Sequence, residues 1–203
     1  MIAIIDYGVG NLFSLKSSFG YIGADAVVTA DKSIIAASDR IVLPGVGAFE
    51  DAAAKLRGSG LDKVVLSEAE KGKCLLGICL GMQMLFDESH EYGVHKGLGL
   101  VPGKVLPLED KLGTSLKIPH IGWNALKFCG EKSKLYKYVT EGESVYFVHS
   151  FYGAECEGYV SATAEYGFDV TASVENKNVY GTQFHPEKSG NVGLNILRAF
   201  CEI

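Results

Sequence analysis

The chain has 203 residues, 47% hydrophobic and 21% charged, which supplies one sizeable core and reads as a single domain spanning 1–203. Nineteen basic against 24 acidic residues leave a net charge of -5, and no Lys/Arg cluster offers a phosphate footprint, so a nucleic-acid partner is not expected. The opening "MIAIIDYGVG" has no basic leader and meets Asp6 early, and no uncharged run could cross a bilayer, so the expectation is a cytoplasmic protein without a membrane partner.

"IAIID" (2–6) predicts a short buried strand, and "NLFSLKSSFGYIG" places Leu12, Leu15 and Phe19 at helical spacing. "AVVTA", "IIAAS", "RIVLPGVG", "FEDAAAKLR", "LDKVVLSEAEKG" and "CLLGIC" continue the alternation, with strands apolar enough to be covered on both faces. Up to Phe86 this describes an open, largely parallel central sheet flanked by helices, an α/β fold. Beyond "GLGLVPGKVLPL" the period shortens to two. "HIGWNALKF", "SVYFVHSFY", "YVSATAEY", "VTASVEN" and "VYGTQFH" predict antiparallel strands in the C-terminal half. "CGEKSKLYKYVTEGES" reads as a charged surface excursion with a short helix. Ser189 is placed to cap a last helix, whose Val192, Leu194, Ile196, Leu197 and Phe200 form its buried face.

Three glycine-bearing turns follow strands in the first half. "DYGVGN" starts like a dinucleotide fingerprint, but its third glycine would fall on Phe13, so it reads as a tight turn at the edge of a site. "LPGVG" suits positive φ at Gly45 and Gly47. The third, Gly77-Ile78-Cys79-Leu80-Gly81, has the pattern of a nucleophile elbow with cysteine in place of serine. That turn would put Cys79 at the carboxyl edge of the sheet and at a helix N-terminus, where thiolate is favoured. The Leu80 N–H would then face an oxyanion formed on an attacked carbonyl, and the "PGVG" loop could add a second donor from Val46 or Gly47.

A thiolate nucleophile needs a base. Of five histidines, His185 has the company a base needs: in "GTQFHPEKSG", Glu187 follows two residues on, across Pro186, so both side chains project to one face of extended backbone. His149, alternating with aromatics in "YFVHSF", reads as a strand histidine near the pocket; His90 and His95 fall in the polar loop "DESHEYGVHKG" and are expected to face solvent. Five widely spaced cysteines without a CxxC pair or Cys/His ligand spacing indicate neither a disulfide framework nor a metal site, and no cofactor is implied.

With both motifs placed, the sequence resembles the class I, or triad, glutamine amidotransferases along nearly its whole length: "DYGVGN", "LPGVGAF", "GICLGMQ", "KGLGL", "PHIGWN", "YFVHSF" and "QFHPEKS" occur in the family's order. "PHIGWN" with "DYGVGN" is similar to the subfamily that serves imidazole glycerol phosphate synthesis in histidine biosynthesis. The resemblance implies Cys79 as nucleophile, His185 as general base and acid, and Glu187 as orienting carboxylate. It further implies L-glutamine as substrate, bound by Gly47, Gln83, Glu91 and Ser150, and a (β/α)8-barrel cyclase subunit as heterodimer partner. That partner would be met by Asn11, His120, Trp123, Asn124 and Tyr146. Two other readings remain: a glutaminase supplying a different amidating enzyme, and a non-catalytic regulatory subunit of the same fold. A cysteine peptidase with the same elbow would leave Gln83 idle.

Overall fold

The structure, a computed structural model, describes residues 1–113 and 116–203. The first half runs β1 (Ile2–Ile5), α1 (Leu12–Tyr21), β2 (Ala26–Thr29), α2 (Lys32–Ala37), β3 (Arg40–Leu43), α3 (Phe49–Gly58), α4 (Leu61–Glu70), β4 (Cys74–Ile78) and the single-turn α5 (Leu80–Gln83). The remainder comprises β5 (Glu88–Ser89), β6 (His95–Lys96), β7 (Lys104–Pro107), α6 (Glu109–Leu112), β8 (His120–Ala125), β9 (Lys127–Phe128), β10 (Ser144–His149), β11 (Phe151–Ala154), β12 (Val160–Glu165), β13 (Asp169–Asn176), β14 (Val179–Thr182) and α7 (Gly190–Glu202).

Eight strands form the main sheet in the order β2-β1-β3-β4-β14-β13-β12-β9. β1 to β4 pair in parallel, and the apolar runs of β1, β3 and β4 are buried because helices cover both faces, while the edge strand β2 is half-buried. One face packs against Ile35, Phe49, Leu56, Leu61 and Val65 of α2, α3 and α4. The other packs against Leu15 and Phe19 of α1 and Ile196, Leu197 and Phe200 of α7. The site is positioned by β14. It pairs antiparallel with β13 yet parallel with β4, in the register Thr182↔Ile78. "VYGTQFH" therefore leaves the antiparallel half and delivers His185 to the same carboxyl edge as Cys79.

Several expectations are corrected. "HIGWNALKF" and "SVYFVHSFY" each divide between sheets: β8 pairs with β10 in a two-stranded ribbon, whereas β9 joins the main sheet and β11 pairs with β7. The charged excursion near 134–136 hides two side chains completely, Leu135 and Tyr136, the latter donating its hydroxyl to Ser173 Oγ at 2.5 Å. "DESHEYGVHKG" folds into the β5–β6 hairpin, so His90 and His95 are half-buried, and His90 Nε2 lies 3.0 Å from Glu88 Oε1. Ser189 precedes α7 without capping it. Its hydroxyl instead donates to the His185 carbonyl at 2.6 Å and accepts from the Tyr146 N–H at 3.0 Å, which fixes the His185 segment against β10. No described helix is long and apolar enough to cross a membrane.

Candidate active site

The turn between β4 and α5 is built by close approach of backbones. A Cβ on Gly81 would lie 1.9 Å from the Leu43 carbonyl oxygen, and one on Gly77 would lie 2.6 Å from the Gly81 carbonyl oxygen. Glycine is required at both positions because the elbow packs on itself and on the end of β3. Gly45 belongs to the same contact, since its Cβ would meet the Gly81 nitrogen at 2.8 Å. Positive φ holds only at Gly47 (+90°), which corrects the expectation for Gly45: that residue is small for space.

Cys79 between them has φ 55° and ψ -112°, a strained conformation for a residue with a side chain, and its N–H is anchored to the Thr182 carbonyl at 2.7 Å. The following helix is one turn, because the chain tightens at Leu85 and Phe86 to enter β5. Cys79 does sit at a helix N-terminus as expected, but of a single turn, and the local donor is the Leu80 N–H, which has no carbonyl four residues back within the helix to bond.

His185 Nδ1 lies 2.8 Å from Glu187 Oε1, and both side chains are almost completely buried (3% and 2% exposed). Burial alone would lower the His185 pKa. The hydrogen bond and charge of Cys79, with those of Glu187, outweigh it and raise the value to about 9. With Nδ1 committed to the carboxylate, Nε2 is the ring nitrogen that faces the thiol.

These groups open on a cavity of about 360 Å³ lined by Val46, Gly47, Cys79, Leu80, Gln83, Glu91, Tyr92, Val148, His149, Ser150, Phe151, His185 and Lys188. The size suits a small ligand. Every residue expected to act on or bind the substrate lines it; Glu187 stands behind His185. Glu91 is also structural: Oε2 accepts from the Phe49 N–H at 2.7 Å, and burial, opposed by that bond, raises its pKa. A larger cavity of about 480 Å³ lies beyond β11. Its lining holds Cys156, whose thiol burial pushes up to about 11, away from the thiolate that a nucleophile needs.

Two contributors, Tyr7 and Gln183, escaped the sequence reading, and His149 lies on its strand beside the pocket as expected. Tyr7 donates its hydroxyl to the Pro44 carbonyl at 2.6 Å, bracing the loop that carries Val46 and Gly47; burial, then the nearby Cys79, keep that hydroxyl protonated. Gln183, fully buried, donates to Cys79 Sγ at 3.7 Å and accepts from Gln83 Nε2 at 3.0 Å. His149 bonds the Phe151 carbonyl at 2.8 Å, and burial, foremost, drives its pKa down to about 3. Gln183 carries a signal, since it shares the alternation of His185 in "QFHPE". The Tyr7–Pro44 pairing spans distant elements.

Of the expected docking residues, Trp123 is 56% exposed and meets Tyr146 edge-on across the β8–β10 ribbon, with ring centroids 5.9 Å apart. Asn124, half-buried, lies on the same ribbon, and Asn11 caps α1 with its side chain, separately, after β1. His120 is completely buried, stacked on Tyr166 and Phe147, and cannot touch a partner directly.

A strained cysteine at the carboxyl edge of an α/β sheet, sharing one cavity with a carboxylate-paired histidine, defines the class: an enzyme of acyl transfer through a thiol. The family described as glutamine amidotransferase class-I matches residues 3–202. The chain is 46% identical over 204 residues to the imidazole glycerol phosphate synthase subunit HisH of Geobacter metallireducens, covering 98% of this chain and 97% of that protein. It is 50% identical to the HisH subunit of Methanothermobacter thermautotrophicus, covering 100% and 98%. In fold it is similar to a crystal structure of a glutamine amidotransferase (TM-score 0.77, 20% identity, 100% and 98% covered) and to PurLQS from Thermotoga maritima (TM-score 0.74, 21% identity, 99% and 97% covered). The chain belongs to the class I glutamine amidotransferase family, and its chemistry is cysteine-based hydrolysis of glutamine.

Proposed function

We propose that the cavity at Cys79 binds L-glutamine and that Cys79, His185 and Glu187 hydrolyse it, passing the ammonia to a (β/α)8-barrel cyclase subunit for imidazole glycerol phosphate synthesis. The observation that carries this reading is the convergence of the strained Cys79 with the buried His185–Glu187 pair in a cavity that Gln83 also lines. The sulfur attacks the side-chain amide carbon, and the oxygen, now negative, is stabilised by the N–H of Leu80 and a donor of the Val46–Gly47 loop. His185, protonated at neutral pH, gives its Nε2 proton to the departing nitrogen, which leaves as ammonia with the C–N electron pair. A γ-glutamyl thioester remains. Water then loses a proton to His185 as it attacks the thioester, and the thiolate departs from glutamate.

Ammonia released into neutral water mostly protonates and ceases to be a nucleophile, so a subunit made for amination delivers it to a neighbour. The exposed Trp123 beside Tyr146 gives the kind of amphipathic aromatic anchor that interfaces favour, and the similarity to HisH subunits supports a cyclase as the occupant. An electrophilic glutamine analogue tests the reading. It is expected to alkylate one cysteine per chain, at Cys79, with protection by glutamine; labelling elsewhere, or none, refutes it.

A further inference from the structure

From the wall of the cavity runs a chain of hydrogen bonds that the hydrolytic steps do not use. His149 Nδ1 is 2.8 Å from the Phe151 carbonyl, His149 Nε2 is 2.9 Å from His120 Nδ1, and His120 Nε2 is 2.7 Å from the Asn124 side-chain oxygen. Both rings are buried. A carbonyl only accepts, so His149 carries a proton on Nδ1, and burial keeps each ring neutral, with one proton only. His149 Nε2 is consequently bare and accepts, which calls for the single His120 proton on Nδ1. The Asn124 side-chain oxygen also only accepts and calls for the same proton on Nε2, while the Asn124 amide nitrogen is held by the Glu165 carbonyl at 2.9 Å. A neutral His120 cannot serve both neighbours, so the chain has two arrangements: Nδ1–H joined to His149, or Nε2–H joined to Asn124.

At the other end the Phe151 carbonyl also accepts from Gln83 Nε2 at 3.1 Å, and the same nitrogen donates to Gln183 at 3.0 Å. Both amide hydrogens of Gln83 are thereby committed, and its oxygen is the atom left for a substrate donor. We propose that His120 and His149 are positioning residues for glutamine binding: paired as Nδ1–H tautomers, they hold the Phe151 carbonyl that orients Gln83, and Asn124, on the docking ribbon, is the end at which a partner sets or releases the chain. Packing supports the pairing. His120 is stacked between Tyr166 and Phe147, with centroids 3.9 and 5.0 Å away and both planes inclined by 19°, which fixes the ring while leaving its edge nitrogens for the two bonds.

This inference rests on the glutaminase reading, and its first test does not need activity. Imidazole nitrogen NMR on the full chain is expected to show His149 as a neutral Nδ1–H tautomer, the minor form of a free histidine side chain; an Nε2–H tautomer at His149 overturns the proposal. The second test compares two variants in the complex with the partner subunit. Asparagine at 149 can place an N–H near the former Nδ1, whereas leucine keeps the volume without a donor. His149→Leu is expected to raise the KM for glutamine about five- to tenfold, the worth of one buried hydrogen bond, with kcat changed far less, and His149→Asn to recover most of that loss. Leucine matching or surpassing asparagine would reduce His149 to packing and overturn the proposal. If a variant fails to fold, the tautomer measurement on the unaltered chain still decides. A wild-type complex without glutaminase activity would defeat the functional reading and leave the tautomer result standing.

Discussion

Cys79 holds a backbone conformation that a residue with a side chain adopts only when its surroundings impose it, and Gly77, Gly81 and the Thr182 carbonyl do so. His185 is held as firmly, by Glu187 at the ring and Ser189 at the backbone. Because Glu187 helps raise the His185 pKa to about 9, Glu187→Gln is expected to move the alkaline limb of the kcat/KM profile for glutamine to lower pH. An unmoved limb would detach Glu187 from the proton transfer. The same shift has a sign in stability: a folded pKa above the unfolded 6.5 contributes stability that is fully present below about pH 6.5 and is lost as pH rises through about 9, and Glu187→Gln flattens that slope in denaturant titrations. The elbow and "HPE" were legible because each is a local pattern of residue type and spacing. The role of Tyr7 was not, because Pro44 follows a different strand, and the alternation of Gln183 with His185 gave its face but not its contact with Cys79, 104 residues away.

At the scale of elements, the site is the meeting of β4 with β14 and of both with the loop after β3. Periodicity distinguished the parallel first half from the antiparallel second, but could not show that β14 crosses into the parallel sheet, since a short run such as "VYGT" suits either neighbour. The split of "SVYFVHSFY" at Ser150 was hidden for the same reason: alternation continues through the residue where the partner strand changes. Glycines offer a sharp test of the elbow. Gly81→Ala should destabilise the fold by about 2–4 kcal/mol, because its Cβ meets backbone that cannot yield, whereas Gly20→Ala in α1, with open space around it, should stabilise by about 0.5–1 kcal/mol. Thermal unfolding of the two variants compares them; equal shifts in Tm would contradict the close-packed elbow. Tyr7→Phe tests the brace on the Pro44 loop: kcat should fall roughly fivefold with KM little changed, the signature of a contact that matters at the transition state. A pure KM effect would place Tyr7 in substrate binding.

For the whole molecule, His149 ends the β10 strand of the ribbon proposed for docking and lines the active-site cavity, and Val46 and Gly47 of the "PGVG" loop line the same cavity as the nucleophile. Gly45 is locked by its contact with Gly81, while Val46 is 42% exposed and a Cβ on Gly47 would meet nothing within 4 Å. The peptide between Val46 and Gly47 thus has room to reorient, and a contact of a few kcal/mol from a partner would decide which orientation is populated. The isolated chain is therefore expected to release glutamate slowly, with a large rise in kcat when the cyclase subunit and its nucleotide ligand are both present. Full activity of the isolated chain would remove the gating and leave the triad untouched.

The most direct test of the central claim, that glutamine is opened at Cys79 to supply ammonia to a partner, is synthesis by the assembled complex of Cys79→Ala with two nitrogen sources. The account predicts that glutamine-dependent product formation disappears while synthesis from added ammonium salts persists at a rate close to that of the unaltered complex. Continued turnover with glutamine in that variant would contradict it.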